Sequence, residues 1–394
     1  MNELNYTISM LGPTSVGKTS LIATIFEMAR IELLVGKPFD IQPNNMATEK
    51  KLAAHARELR SSINAKNFNS GAVAGTQSSF TFSFDLKSAS NDTKVLNFNI
   101  LDFPGGWIDV LNRPDDKNHE WEQCKETIIQ SAVLVIPVEA TVIMEAKTKE
   151  QLRAIEYNLQ IETIKDVVTM WSKNRNTNFP NQPSVVIFVP VKCESYFTDN
   201  VNTKQPDKSV ELFNQTQRYY GEVIDTIHKE FTKANVSILY SPVDTIGSVE
   251  LIGGKWKEEE DTLRFSGKYH ITQSTLHPKG GEDIFITLCK NLVNTQAMIE
   301  KENLEKIDRQ KTITSQAVAN ANEYAERDEG IWGNLKLWWT DEREKRRKLA
   351  SEKSNELKNI EDQHEQQQQK YENVATLIQD ISTLDFSHRT KAIK

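Results

Sequence analysis

The segment that most constrains the fold of this chain is Gly12-Pro-Thr-Ser-Val-Gly17-Lys18-Thr19, which fits the pattern Gly-x-x-x-x-Gly-Lys-(Ser/Thr). The apolar run 5–11 before it is typical of a buried strand, and the run 20–30 after it has the spacing of an amphipathic helix. Glycines in such a loop let backbone amides approach phosphate oxygens, and the N-terminus of the following helix attracts an anion. The segment therefore predicts a phosphate-binding loop rather than a glycine-rich turn that carries a surface lysine.

Each part of this loop has a predicted contact. The amides of residues 15–18 would point at the phosphate oxygens, the Lys18 ammonium would reach the β- and γ-phosphates, and the Thr19 hydroxyl would ligate Mg²⁺. The predicted phosphate-binding residues are Gly12, Ser15, Val16, Gly17, Lys18, Thr19 and Ser20.

Composition limits the class of protein. The 394 residues, 38% of them hydrophobic, suffice for two domains or for one domain with a large appendage, and the net charge of −7 gives no general case for nucleic-acid binding. The three cysteines, which form no Cys-x-x-Cys pair, suit a reducing cytosol. The early first strand leaves no room for a signal peptide, and apolar runs such as 132–138 are too short to span a bilayer. We therefore expect a cytoplasmic protein.

Apolar, β-rich runs alternate with helical patterns up to about residue 290. This order predicts an α/β fold with a doubly wound, mainly parallel sheet covered by helices on both faces. The clear alternation in 79–86 indicates an edge strand, paired with 95–101 as an antiparallel hairpin. The predicted strands are 5–11, 79–86, 95–101, 132–138, 184–191 and 236–241.

Two insertions and an extension complete the predicted organisation. Within a first domain, 1–295, we expect a helical insertion at 31–75 and a β-hairpin insertion at 247–277. Beyond it, apolar residues at heptad spacing predict a C-terminal α-helical hairpin or coiled-coil extension, 296–394.

A second motif, Asp102-Phe-Pro-Gly105, follows a predicted strand. In an Asp-x-x-Gly motif after a phosphate-binding loop, Asp102 would hold Mg²⁺ through water and the Gly105 amide would sense the γ-phosphate, with Gly106 beside it. Thr76, before the predicted hairpin, is a candidate switch threonine that reaches Mg²⁺ and the γ-phosphate. ATPases of the AAA or RecA kind usually carry glutamate directly after this aspartate, where Phe103 stands. A structural aspartate at a strand end is the alternative interpretation.

The predicted strand 184–191 ends at Lys192-Cys-Glu194. Guanine-binding proteins that resemble Ras carry Asn-Lys-x-Asp in this place, where the lysine stem covers the base and the carboxylate accepts two N–H groups. Here Val191 replaces the asparagine, which removes about 1 kcal/mol of hydrogen bonding, and Glu194 replaces the aspartate. A solvent-facing lysine at a strand end is the alternative.

A third loop, after the predicted strand 236–241, begins Ser241-Pro242-Val243. It is similar to the Ser-Ala-x loop in which a backbone amide contacts the guanine O6. Because Pro242 has no N–H, Val243 would have to donate.

Taken in their order along the chain, these motifs resemble those of the Ras-like, TRAFAC class of P-loop GTPases, over roughly residues 1–295. The altered base motif and the long insertion are similar to divergent bacterial members. The resemblance implies GTP and GDP as ligands, Mg²⁺ as cofactor with Thr19, Thr76 and Asp102 as its ligands, and GTP hydrolysis.

One departure bears on catalysis. Ras-like proteins often carry a glutamine after Asp-x-x-Gly to orient the attacking water, and Gly106 has no side chain for this task. We therefore expect slow intrinsic hydrolysis, at or below about 10⁻⁴ per second. Beside Lys18, Arg113 is a candidate catalytic residue as an internal arginine finger, and an ordinary loop arginine is the alternative.

The extension suggests a partner. Trp332, Trp338 and Trp339 cluster beside the basic run 343–348, which suits packing onto the first domain, a protein groove or a membrane interface. We expect an effector or activating protein at the helical hairpin, with a homo-oligomer left open. Three functions follow: a regulatory GTP switch, a dynamin-like self-assembling GTPase, or a pseudo-GTPase scaffold.

Overall fold

The computed structural model describes most of the chain, in two units. One unit comprises Met1–Leu292 with Asp380–Lys394, and the other comprises Val293–Gln379. The described residues are 5–28, 39–63, 67–69, 76–88, 94–109, 113–180, 182, 184–201, 205–231, 236–259, 262–326, 342–382 and 387–394.

The first unit is built on an eight-stranded sheet of order β11-β8-β7-β6-β1-β5-β4-β2. Strands β5, β1, β6, β7 and β8 pair in parallel, whereas β4, β2 and β11 are antiparallel to their neighbours. The prediction of an α/β fold with a mainly parallel sheet is confirmed. The strands are β1 Asn5–Met10, β2 Phe39–Pro43, β4 Phe80–Ser88, β5 Lys94–Asp102, β6 Val133–Glu139, β7 Ser184–Val191, β8 Val236–Tyr240 and β11 Lys391–Ala392.

Both edges of this sheet differ from the prediction. Strand β2 lies outside β4, so β4 is not the edge strand that its alternation indicated. At the other edge, β11 pairs with β8. These outer strands are five and two residues long, too short for the periodicity that identifies a strand in a sequence.

Helices cover the central strands. All eight residues of β7 are buried, as are the first six of β6, because both faces of a parallel sheet are covered and its strands become continuous runs of Val, Ile and Phe. The helices of this unit are α1 Lys18–Met28, α2 Met46–Ile63, α3 Asn118–Gln130, α4 Ala140–Met144, α5 Lys149–Leu159, α6 Ile161–Asn178, α7 Ser209–Tyr219 and α8 Gly221–Glu230.

A second, three-stranded sheet joins the two regions predicted as insertions. Strands β9, Val249–Glu259, and β10, Thr262–Ile271, pair antiparallel along nearly their whole length. Strand β3, Asn67–Asn69, adds to β10 from the region 31–75. This pairing was not predicted, because a three-residue strand carries no periodic signal.

Two long helices follow, α9 Gly281–Glu326 and α10 Glu342–Ser382. Within the second unit they run antiparallel: Gln367 Nε2 donates to the Glu300 carbonyl at 3.2 Å, and the Arg346 guanidinium stacks on Tyr324 at 3.9 Å. Residues 380–394, predicted as part of the extension, group with the first unit instead. The tryptophans at 332, 338 and 339 lie outside the described residues. None of the helices in the described ranges is both long and apolar enough to cross a bilayer.

Candidate functional site

The predicted phosphate-binding loop lies between β1 and α1, and Lys18 is the first residue of the helix. Ser15 and Gly17 have positive φ angles of 61° and 107°. A positive φ costs energy for a side chain such as that of Ser15, and strained backbone of this kind is found preferentially at ligand sites. The chain therefore makes a tight turn directly before the N-terminus of α1.

Lys18 is a buried cation with weak compensation. Its Nζ donates to the carbonyls of Gly12 at 2.9 Å and Pro13 at 3.0 Å and lies 5.8 Å from the Phe103 ring. Burial lowers the pKa of Lys18 to about 8, although the charge of Asp102 acts in the opposite direction. An ammonium held in this way gains strongly from an anion brought into the site.

Thr19, Thr76 and Asp102, the predicted Mg²⁺ ligands, come together. Thr19 Oγ1 donates to Asp102 Oδ2 at 2.5 Å, and Thr76 Oγ1 lies 2.9 Å from Thr19 Oγ1 and 3.3 Å from the same carboxylate oxygen. Burial raises the pKa of Asp102, while Lys18 and the two hydroxyls oppose the shift. Three residues that are far apart in the sequence thus form one cluster of oxygen atoms.

The residues present fit a magnesium ion. Asp102 Oδ1 is buried and has no hydrogen-bond partner among the described residues, which leaves an acceptor unused. Among the described residues, no group of three or more His, Cys, Asp and Glu side chains is placed so that it could hold a metal ion. Mg²⁺ is commonly held by one or two protein oxygens and completed by water and substrate phosphates.

The loop after Asp102 lies against the phosphate loop. A Cβ added at Gly105 would come within 2.3 Å of the Pro13 carbonyl carbon and of the Thr14 nitrogen. Only glycine permits this approach. The following Trp107 and Ile108 are buried in the main core, so the loop is fixed at its far end.

The structure brings Lys192 to the phosphate loop. Lys192 follows β7 and has a positive φ of 55°. Its Nζ donates to the Ser15 carbonyl at 3.0 Å and to Glu139 Oε1 at 2.8 Å. The predicted base-binding lysine thus connects the end of β7 to the loop at residue 15.

Glu194 has a different environment from the one expected. Its side chain is buried, and its Oε1 accepts the amides of Ile246 and Gly247 at 3.4 Å. Burial and the nearby Asp244 raise the pKa of this carboxyl group. One oxygen of the carboxylate that was predicted to bind a base therefore accepts hydrogen bonds from the protein's own backbone.

The structure gives the Val243 amide, which was predicted to contact a base, a partner inside the protein. The Val243 amide donates to the Pro190 carbonyl at 2.8 Å, and the Ser241 amide donates to the Phe188 carbonyl at 2.9 Å. Both bonds extend the pairing of β8 with β7 beyond the end of β8, so the Val243 amide is already engaged.

Arg113, the candidate arginine finger, is held by its own loop. Its Nε donates to the Trp107 carbonyl at 2.7 Å, and its guanidinium stacks on Trp121 at 4.8 Å. These partners belong to the segment after Gly106 and to α3, not to the phosphate loop. The structure does not bring this guanidinium into contact with the Thr19–Asp102 cluster.

The remaining predicted residues serve the loop in different ways. Val16 is fully buried, so its side chain anchors the loop. Ser20 Oγ lies 3.0 Å from His55 Nε2 on α2, which ties the helix of the first predicted insertion to α1. Burial lowers the pKa of His55, against the charges of Glu58 and Asp102. Sequence inspection missed His55, because no motif links it to the loop.

A group of C-terminal residues was also missed. Arg389 is fully buried and donates to Asp199 and, at 2.9 Å, to Asp244 Oδ2. The neighbouring Thr390 Oγ1 lies 2.9 Å from Ser241 Oγ. The segment 387–394 thus supports the loop after β8, and no local pattern in the sequence indicates this long-range contact.

No family model matches this chain, and no curated protein sequence matches it. Among solved structures it is similar to the Saccharomyces cerevisiae Ski7 GTPase-like domain bound to GTP, at 15% identity and a TM-score of 0.32. That match covers 63% of this chain and spans 44% of the Ski7 chain.

Proposed function

We propose that this chain is a P-loop GTPase of the TRAFAC class that binds GTP and GDP with Mg²⁺ and acts as a nucleotide-dependent switch. The observation that carries the proposal is the pairing of a buried, poorly compensated Lys18 ammonium with a buried Asp102 oxygen that has no hydrogen-bond partner among the described residues. A magnesium-bound triphosphate supplies an anion to the first and a cation to the second. The order of strand, turn and helix around Lys18 supports the same assignment.

The roles of the residues follow from their positions. Lys18 would exchange the carbonyls of Gly12 and Pro13 for phosphate oxygens, and Thr19, Thr76 and Asp102 would hold Mg²⁺. The metal, when bound, neutralises charge on the phosphates. Thr76 contacts Thr19 although it lies far from it in the sequence, so a change at the terminal phosphate and its Mg²⁺ would be passed to the segment that precedes β4.

Slow hydrolysis is part of the proposal. Gly106 has no side chain to orient water, and Arg113 is held by Trp107 and Trp121. We expect turnover at or below about 10⁻⁴ per second for the chain alone. Tight GTP binding without measurable phosphate release would instead support a pseudo-GTPase scaffold.

ATP is a second candidate, favoured by two observations. The Val243 amide is engaged, and Glu194 is buried with partners of its own. Guanine is supported by Lys192, whose position against Ser15 suits a side chain that covers a base.

Titration calorimetry with GTP, GDP and ATP in the presence of Mg²⁺ tests these assignments. We expect one GTP or GDP per chain and at least about tenfold weaker binding of ATP. Removal of Mg²⁺ should weaken triphosphate binding by at least about tenfold, since Asp102 then faces the phosphates without a cation. A preference for ATP would assign adenine instead of guanine as the bound base. Failure of every nucleotide to bind would contradict the proposal.

Nucleotide binding above pH 8 should take up a proton. The pKa of Lys18 is about 8 without ligand, and a bound triphosphate favours the charged form and raises it. At pH 8.5 a measurable fraction of a proton should enter per nucleotide bound, and affinity should fall as pH rises further. Calorimetry in two buffers of different ionisation enthalpy measures this number. Uptake near zero would show that Lys18 is already charged in the empty site.

The proposal also includes a partner and a cellular location for this switch. We propose an effector or activating protein at the helices α9 and α10, where Ile313 and Leu349 are 67% and 43% exposed. The three cysteines are free and buried, which supports a cytoplasmic location. Turnover that rises steeply with protein concentration or with liposomes would favour the dynamin-like alternative.

A further inference from the structure

A cavity of about 850 Å³ lies beside the phosphate loop, along Pro13, Thr14 and Ser15. Gly106 and Lys192 also border it, so it adjoins the site described above. Its remaining wall contains residues of the β9–β10 hairpin, a part of the chain to which no role has yet been given.

The hairpin is fixed in this position. Asn158 on α5 donates through Nδ2 to the Leu263 carbonyl at 2.7 Å and accepts the Phe265 amide at 3.3 Å. The rings of Trp256 and Phe265 lie 5.3 Å apart and both pack against the main core. Backbone bonds and aromatic packing thus set the direction of the side chains on the hairpin.

Two cations of the hairpin line the cavity. Lys257 and Arg264 are directly opposite each other in the strand register, so their side chains share one face of the hairpin. Like charges at directly opposed positions are destabilising unless an anion lies between them. Arg264 stacks on Tyr157 at 5.0 Å and has Glu259 at 3.7 Å from its Nε. In the described ranges Lys257 has no ion pair.

The acids of the cavity do not neutralise it. Its carboxylates are Glu139 and Glu259, and Glu139 is already paired with Lys192 at 2.8 Å. Among the described residues of the wall, three cations and two carboxylates leave one positive charge in the cavity that Pro13, Thr14 and Ser15 also line. The Oε1 atom of Gln160, another residue of the wall, is buried and has no hydrogen-bond partner among the described residues. A side-chain amide can turn either its oxygen or its nitrogen toward a ligand.

We propose that Lys257 and Arg264 bind the terminal phosphate of the nucleoside triphosphate held by the phosphate loop. The proposal rests on the proposed nucleotide site and extends it: the hairpin distinguishes the triphosphate from the diphosphate. The two hairpin side chains would supply positive charge at the terminal phosphate, which Gly106 and Arg113 do not supply. Charge-assisted hydrogen bonds to phosphate give each contact its strength.

Titration of variants with Mg²⁺ and a non-hydrolysable GTP analogue, or with GDP, tests the proposal. Lys257→Ala and Arg264→Ala should each weaken binding of the triphosphate analogue about tenfold, and the double variant further, while GDP affinity changes less than about twofold. Lys268→Ala is the control, because Lys268 lies about 13 Å further along β10 and is absent from the cavity wall. It should leave both affinities unchanged.

Arg264→Lys separates charge from packing. It keeps the charge and loses the planar stack on Tyr157, so it should retain most of the triphosphate preference. Loss of this preference in Arg264→Lys together with a wild-type ratio in Lys257→Ala would assign the effect to packing and overturn the proposal. A double variant with the wild-type ratio of triphosphate to diphosphate affinity would also overturn it. A wild-type chain that binds no nucleotide would overturn the proposed function and this inference with it.

Discussion

Lys18→Ala is expected to weaken the binding of magnesium-bound GTP by at least about 100-fold without unfolding the chain. Lys18 is buried, and its described hydrogen bonds are to two backbone carbonyls. The substitution therefore removes the main buried positive charge available to the phosphates. Calorimetric titration of the variant beside wild type and Lys268→Ala measures the effect. An affinity within tenfold of wild type would contradict the assigned role.

The stability of the same variant tests the electrostatics independently. The folded-state pKa of Lys18, about 8, lies below its usual value of 10.5. Between these values the unfolded chain binds more protons, so this group makes the ligand-free protein more stable as pH rises from 8 to 10.5. Below pH 8 the full cost of burying the charge is present.

Urea unfolding at pH 7 and at pH 10 measures the cost of burying the Lys18 charge, which is present at the lower pH and reduced at the higher one. At pH 7 the free energy of unfolding of Lys18→Ala should be no lower than that of wild type, with a margin of about 1 kcal/mol. The advantage of the variant should shrink as pH rises, because wild-type Lys18 then loses its charge. A variant that is more destabilised at pH 7 than at pH 10 would contradict this sign.

Arg389→Ala is expected to lower the free energy of unfolding by about 3–5 kcal/mol, because it leaves buried carboxylates without their partner. The Arg389 side chain is fully buried, stacks on Phe197 at 4.2 Å and pairs with Asp199 and Asp244. Asp244 is itself fully buried, and the Oδ2 atom that accepts from Arg389 also accepts from Asn200 Nδ2 at 3.0 Å. Urea unfolding measures the loss, with the exposed Arg153→Ala on α5 as the control. A loss below 1 kcal/mol would show that water reaches the carboxylates.

The Arg389 effect should depend on pH. Burial alone would raise the pKa of Asp199, but the hydrogen bond and charge of Arg389, together with Lys279, lower it to about 2 from its usual 3.8. A carboxylate with a depressed folded-state pKa contributes stability above its unfolded pKa and loses it as pH falls through the folded value. The difference in the free energy of unfolding between wild type and Arg389→Ala should therefore become smaller as pH falls from 4 to 2.

Nucleotide binding should report on Arg389 as well. Thr390 is bonded to Ser241, and Arg389 to Asp244, on either side of Val243. We expect weaker binding of the base in Arg389→Ala even under conditions where the variant is fully folded.

The sequence predicts those parts of the candidate site that lie within one local motif. The phosphate loop, Asp102 and Gly105 are each fixed by a strand end and a short spacing. Thr76 was predicted from its order along the chain, and the structure places its hydroxyl beside Thr19 and Asp102. The role of each residue in binding stays a prediction.

The parts that could not be predicted depend on contacts between distant segments. The Val243 amide is engaged because the parallel pairing of β7 and β8 continues for three residues past β8. Arg389 meets Asp244 across 145 positions of sequence, and β3 meets β10 from the other predicted insertion. Neither hydrophobic spacing nor a motif encodes these pairings, because tertiary packing sets them.

The position of β11 also affects how the protein is made. Strand β8 and the carboxylates Asp199 and Asp244 are synthesised well before Arg389 and β11, which follow both long helices. Until then the growing polypeptide exposes an unpaired strand edge, a template for association with other chains. We expect products that stop within the helices to aggregate, and the nucleotide pocket to mature late in translation.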